Sequence, residues 1–579
     1  MRLLGSVAIF ALSWGQAHAA RDFTPQSGTW IISGELDGKP GRGMAIDVQG
    51  NTLFMQVFGY GPGGDAAFYT ATGPLTSHSL TAPLMHYQGG RYFGSGELVA
   101  QEAGTAGNVT LSFESGLAGT VQFPGEAPVR MQRLLVQETD SAYLDIFSNA
   151  KDRHGNYTYV RPMTWVARGA DVQHGWNVTL RRTSDTRYSL QLWDNKVIWY
   201  QPGGGDLPRT LRPMLDMDCT LDSATKVFDC QRLPIVPVSH RDSYTNVSFS
   251  EDINLPLQTA RFRTIGNEVV GWVMTDGAAQ QPLELMGLAG DSSQGDCGVA
   301  PTMLQSFYNP RYFLCGRSPV APNRTAYRPL TTLMPTNGTW IVEDELNGKP
   351  GRWMALDVQD TQMIVQIFDY LPNGASTFHM GSGHYLVSEE SGNHSVGSAE
   401  LYRYAGGRTF GGSHQAAHAV DGPGPMQLEI AGYSGDDGIR RSDYFSSGTV
   451  KLPGEAPKRI RRLALEPQST AADRLLGTWF LQWLAGDASS FLLTFTDLAT
   501  ATNAEGSEVT TADGEVVCGM PPSQSNAGCS WRKMPGRMLS IGMMDFGRSS
   551  SLQVRDRHDN WKGLGPVQLP GLDMPAISY

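Results

Sequence analysis

Four side chains that could do chemistry together, Arg42, Tyr60, Arg91 and Phe93, return later in the chain as Arg352, Tyr370, Arg408 and Phe410. Guanidinium groups and aromatic rings stack on sugar faces, aromatic ligands or a partner's loops, so these eight are the candidate binding residues. Arg91 and Arg408 each follow a pair of glycines, which would hold the guanidinium on a tight turn. The recurrence has a second reading, in which the same side chains simply hold hairpins together in each copy.

Catalytic patterns are sparse. No Gly-x-Ser-x-Gly elbow occurs, and Ser292 in Gly290-Asp291-Ser292 sits in turn-like text before Cys297. Glu35 and Asp47, repeated as Glu345 and Asp357, are the recurring acids that glycoside chemistry would need. Asp47 alternates against Met44, Ile46 and Val48 and reads as a solvated strand residue, while Glu35, close to Gly38, reads as loop surface. Asp216, Asp218 and Asp222 lack the glycine and closing glutamate of a calcium loop. His379 with His384, and His414 with His418, have ligand-like spacing but occur in one copy only. Gly61-Pro62-Gly63 reads as hairpin chemistry, because no helix pattern follows it. No catalytic residue, metal site or cofactor is assigned.

The elements that must position these residues come from an internal duplication. Residues 28–60 align without a gap on 338–370, with 19 of 33 positions identical. The match resumes at Tyr87 to Gly94 against Tyr404 to Gly411 and closes at Pro124-Gly125-Glu126-Ala127-Pro128 against Pro453-Gly454-Glu455-Ala456-Pro457. Apolar residues alternate with period two through Met44, Ile46 and Val48, which predicts antiparallel strands. Leu53 to Phe58 is apolar at both parities, so both faces of that strand must be covered.

Downstream of each such A module, Cys219/Cys230 and Cys518/Cys529 share one spacing, which suits a disulfide across a hairpin; Cys297 and Cys315 are left to pair with each other. Thr164-Trp165 and Thr478-Trp479 open these B segments, and the interval Arg263 to Gly271 recurs as Arg555 to Gly563. The expected order is a leader at 1–20, A module 21–135, B module 136–300, a proline-rich linker 301–335, A module 336–465 and B module 466–579. The fold class that follows is all-β: tandem antiparallel small barrels or sandwiches in an A-B-A-B duplication.

Gly28-Thr29-Trp30, Gly338-Thr339-Trp340 and Gly477-Thr478-Trp479 resemble the Gly-x-Trp that opens the first strand of lipocalin and avidin-type barrels. The A module is also similar to Gly-Thr-Trp repeats of secreted bacterial proteins of unassigned function. The resemblance implies an up-and-down barrel of about eight strands with the Trp plugging one end. It implies no reaction.

Composition bounds the function class. The 579 residues carry 45 Lys+Arg and 56 Asp+Glu, a net charge of −11 that becomes −12 without Arg2. That balance excludes a general nucleic-acid binder, which needs a basic footprint. Met1-Arg2, the apolar run Leu3 to Trp14 and Ala17-His18-Ala19 read as a cleaved export leader, too short to span a bilayer. Tyr579 invites an outer-membrane barrel reading, but Asp573 and Pro575 interrupt the alternation. The expectation is a secreted or periplasmic, non-catalytic binder of a glycan, a small apolar ligand or an envelope protein, with two similar sites on one chain. The alternatives are an extracellular hydrolase with carboxylates or serine at a module junction, and a structural component of the envelope.

Overall fold

The computed structural model describes residues 25–134 (except 36, 37, 50 and 51), 160–168, 173–194, 215–234 (except 224 and 225), 257–275 (except 266 and 267), 282–289, 314–316, 328–331, 337–345, 351–359, 362–387, 395–430 and 447–463. In the last part of the chain it describes 477–483, 491–500, 507–520, 526–532 and, between 538 and 569, the strands; residues 154, 335 and 465 complete the set. The architecture is all-β, in tandem antiparallel barrels and curled sheets.

The first barrel, A1, is a meander of eight strands that closes where Gly28–Ile32 meets Val129–Arg133, with Trp30 opposite Arg133. Period-two alternation decides its interior. Trp30, Met44, Ile46, Leu53, Met55, Val57, Leu111, Val121 and Met131 all point inward and pack together. Pro124-Gly125 ends one strand, with Gly125 in the left-handed region at φ 74°.

The second copy, A2, repeats this plan from Gly338–Val342 to Lys458–Arg462, and a pairing between Ser376–Val387 and Ser395–Ala405 brings its sheet round on itself. Each of the three Gly-Thr-Trp triplets opens a strand, at Gly28–Ile32, Gly338–Val342 and Gly477–Trp483.

Eight strands from Val160–Arg168 to Pro282–Ala289 close a further barrel, B1, around Trp165, whose ring meets Phe262 at 4.9 Å. An eight-stranded sheet, B2, follows A2. Cys219 lies directly opposite Cys230, and Cys518 opposite Cys529, and both pairs are disulfide-bonded across adjacent strands as their spacing predicts. Of the expected Cys297–Cys315 pair, Cys297 lies outside the described residues, as does Ser292, so the pairing is not described. Residues 301–335, read as a plain linker, contain a two-stranded ribbon, Leu314–Gly316 with Arg328–Thr331.

The Cys219–Cys230 bond closes a short loop in B1. Replacing both cysteines by alanine in the full chain should lower the stability of B1 by roughly 2–3 kcal/mol, the range set by loop closure over about ten residues. Thermal unfolding followed by hydrogen exchange of the B1 strands checks this, and the A1 strands should be unaffected.

Candidate functional site

The outer face of A1 does not meet water. It meets the same face of A2, related by an approximate twofold, and the two barrels share one core of Ala45, Phe58, Tyr60, Phe68 and Tyr87 with Ala355, Phe368, Tyr370 and Phe378. Phe68 lies 5.7 Å from Phe368 and 5.6 Å from Tyr370, ring centre to ring centre, in edge contacts. This explains the strand that is apolar at both parities. Leu53, Met55 and Val57 fill their own barrel while Phe58 fills the seam.

Ion pairs cross the seam in reciprocal order. Arg133 donates two hydrogen bonds of 2.6 Å to the Asp357 carboxylate, and Arg462 in turn donates through one Nη to Asp47. The backbone N–H of Thr29 donates to Asp357 at 2.9 Å, and that of Thr339 to Asp47 at 2.8 Å. Both aspartates are 1 % exposed, which corrects the reading of Asp47 as a solvated strand residue. A single barrel does expose that face; the second barrel covers it. Gly28 and Gly338, in the left-handed half of φ space at 133° and 127°, are required here, because a Cβ at either would collide with the arginine and aspartate.

A second reciprocal set surrounds Arg42 and Arg352. Arg42 bonds Glu35 at 2.6 Å and Glu126 at 2.7 Å, and Arg352 bonds Glu345 and Glu455. Arg408 of A2 reaches back to Glu35 at 3.2 Å and Glu126 at 3.3 Å, while Arg91 of A1 lies 3.7 Å from Glu345. The N–H of Gly411 donates to Glu126, and that of Gly94 to Glu455. Glu35 is buried rather than loop surface. Glu35 and Asp47 are not brought together as an acid pair, since each is held by a different arginine.

The aromatics of these loops are exchanged. Phe410 enters the mouth of A1, 4.9 Å from Tyr69 and 5.0 Å from Phe123, and Phe93 enters A2, 4.9 Å from His379. The Tyr60 ring lies against Gly407 and the Tyr370 ring against Gly90, where any Cβ would overlap them. All eight candidate binding residues therefore sit in the seam, brought together from both copies: Arg42 and Arg352 hold the glutamates of their own copy, while Tyr60, Arg91, Phe93, Tyr370, Arg408 and Phe410 reach the other.

The two mouths differ. In A2 the buried Asp369 accepts a 3.0 Å contact from His379, where A1 has Gly59 and Tyr69. His384 contacts Gln362, and His414 and His418 are exposed. Asp218 pairs with Arg187 and Asp216 accepts from Gln191, so both face the neighbouring strand's side chains. Among the described residues no three His, Cys, Asp or Glu converge in a metal-ligand arrangement. No described helix is long and apolar enough to cross a membrane.

Burial opposes the charges of Glu126, Glu345 and Glu455, and pairing outweighs it. Burial alone would raise Glu455, but hydrogen bonds from Arg352, Lys458 and the Gly94 N–H bring its carboxyl down to about 2. Glu126 and Glu345 are likewise lowered by their arginines against the pull of burial. Desolvation pushes the hydroxyls of Tyr60 and Tyr370 far above their ordinary range.

At one end the seam opens. Between the turns 61–65 and 371–375 lies a cleft of about 630 Å³, its polar lining supplied by Asp65, His86, Gln88 and Gln101 from A1 and Asn373 and Ser376 from A2. His86 Nε2 and Ser376 Oγ meet at 3.1 Å and tie its two walls together. Burial lowers the His86 pKa, which keeps the ring neutral near pH 7. Sequence reasoning missed this cleft, because its lining depends on how the copies mate and only some of its positions have like counterparts.

No protein-family profile matches the chain, and no curated protein matches it. Among solved structures, the Myxococcus xanthus hemagglutinin in complex with a3,a6-mannopentaose aligns over 46 % of this chain and 93 % of its own, at 14 % identity and a TM-score of 0.10. The Burkholderia oklahomensis agglutinin aligns over 45 % and 88 %, at 12 % identity and a TM-score of 0.10. Likeness at that level says nothing about what this chain binds.

Two outcomes test the seam. Arg133→Met leaves Asp357 buried without its partner and should destabilise the A pair by about 3–5 kcal/mol, whereas Arg133→Met with Asp357→Leu should recover much of that loss; denaturant titration of both variants measures it. The second concerns acid. Glu126, Glu345 and Glu455 have folded pKa values below the ordinary 4.5, so their stabilisation is complete above that pH and is lost as pH falls from about 4.5 toward 2. Thermal melts across that window should fall steeply in the wild type, and less so in Arg352→Met/Glu455→Gln.

Proposed function

We propose that this chain is an exported, non-catalytic binding protein whose paired A barrels act as one platform, with the seam cleft as its ligand site. The observation that carries the reading is the cleft itself. It is built from both copies, whose barrels are joined by the buried ion pairs and exchanged aromatics of the seam. A site fixed in this way loses little conformational freedom when a ligand enters. The leader-like N-terminus and the hairpin disulfides support an oxidising location, periplasmic or extracellular, in a bacterial source. The acids that a carboxylate hydrolase would use are spoken for: Glu35, Asp47, Glu345 and Asp357 each hold a buried arginine.

A thermal-shift screen of the full chain against saccharides, fatty acids and peptides tests the reading. One class should raise the transition, by about 2.7 kcal/mol of stabilisation at a hundredfold excess over Kd, and Gln101→Trp, which fills the cleft from an exposed strand position, should abolish the shift. A shift that survives Gln101→Trp would place the site elsewhere and contradict the proposal.

A further inference from the structure

The cleft has an internal control, the same place in the other copy. Gly89, in the lining of the cleft, has open space where a Cβ would project, but a Cβ on its counterpart Gly406 would lie 3.1 Å from the His418 imidazole and 4.0 Å from the Gln415 amide. The register explains the difference. Gln101 pairs opposite Gln88, and His418 pairs opposite Ala405, so the same strand position carries a flexible amide in A1 and a covering imidazole in A2. The amide lining is one-sided as well: Asn373 projects at the tip of its turn where the corresponding A1 turn has Gly63.

We infer that the seam cleft is a single binding site for a neutral saccharide, one per chain, a step that rests on the cleft being the ligand site. The lining chemistry selects this class. Gln88 and Gln101 each offer an amide N–H pair and a carbonyl, Asn373 offers its amide N–H pair while its carbonyl accepts from the Ala375 N–H at 3.0 Å, and Asp65 offers a carboxylate acceptor. Vicinal hydroxyls, which both donate and accept, are matched by such groups in pairs. No arginine or lysine lines the cleft, and the Asp65 carboxylate repels anions, so acidic sugars and phosphates are disfavoured. Ala375 and the exposed Val99 present small apolar surfaces suited to the C–H face of a pyranose. A fatty acid would find too little apolar wall. Gly89 lets the ligand approach the backbone, whose N–H is already committed to the Gly374 carbonyl at 2.8 Å. The expectation of two equivalent sites per chain gives way to one, because His418 closes the second.

Isothermal titration of the full chain tests this, with neutral tetrasaccharides of glucose, mannose, galactose and N-acetylglucosamine and with an oligogalacturonate as the acidic probe. At least one neutral probe should bind with a stoichiometry of one, and the acidic probe should bind more weakly. Asn373→Ala should weaken binding roughly tenfold, the loss of about one good hydrogen-bond pair. Gln101→His, which places over Gly89 the imidazole that His418 places over Gly406, should abolish binding while leaving the melting transition in place. A stoichiometry of two, or neutral-sugar binding untouched by both variants, overturns the inference. If no saccharide binds while a peptide or fatty acid gives a shift that Gln101→Trp removes, the saccharide class is wrong and the cleft as binding site stands. If nothing binds in a cleft-dependent way, both fall.

Discussion

Two carboxylates, Asp47 and Asp357, set the terms for the rest of this molecule. Each belongs to one barrel and is satisfied by the arginine and a backbone N–H of the other. Taking such charges out of water is costly, and only well-formed reciprocal pairing offsets it, so the pairs serve register more than net stabilisation. The net gain comes from the aromatic core between them, where Phe58, Phe68, Phe368 and Phe378 lose their contact with water. A slip of one residue along either strand would turn the aspartates inward and the aromatics away from each other.

Duplication and pairing are therefore one design. A barrel that carries an aspartate on its outer face and the matching arginine at the end of its last strand is self-complementary, which is the property of an isologous twofold contact. Two tandem copies on one chain can make that contact within the chain. The copies have since diverged where the twofold no longer needs identity. Trp353 meets Phe54, Phe68 and Tyr87 across the seam, while its counterpart Gly43 leaves room for Phe58. His379 and Asp369 line one mouth where Tyr69 lines the other. The open cleft at Gly89 and the covered glycine at 406 belong to the same divergence.

Much of the fold was legible in the sequence, because period-two alternation, Gly/Pro turns and a gapless repeat are local signals. The hairpin disulfides were legible for the same reason: equal cysteine spacing on adjacent strands places them opposite each other. The candidate residues Arg42, Tyr60, Arg91 and Phe93 were visible as a recurring set, but not what they touch. Asp47 shows why. Alternation assigns it correctly to the outer face, yet whether that face is wet depends on a second barrel some three hundred residues away. The signal that could have found the seam was present in the run Leu53 to Phe58, apolar at both parities, which demands a cover that one barrel cannot supply to its own outside.

The cleft exists only while A1 and A2 are joined, so the two barrels must behave as one cooperative body through this seam. Native-state hydrogen exchange of the Thr29 and Thr339 amides addresses that directly, because their acceptors are the carboxylates of the opposite barrel. Both amides should exchange as slowly as those of the barrel cores, and they should open together at the same denaturant concentration. Fast exchange of both, with the interior strands of each barrel still protected, would contradict it.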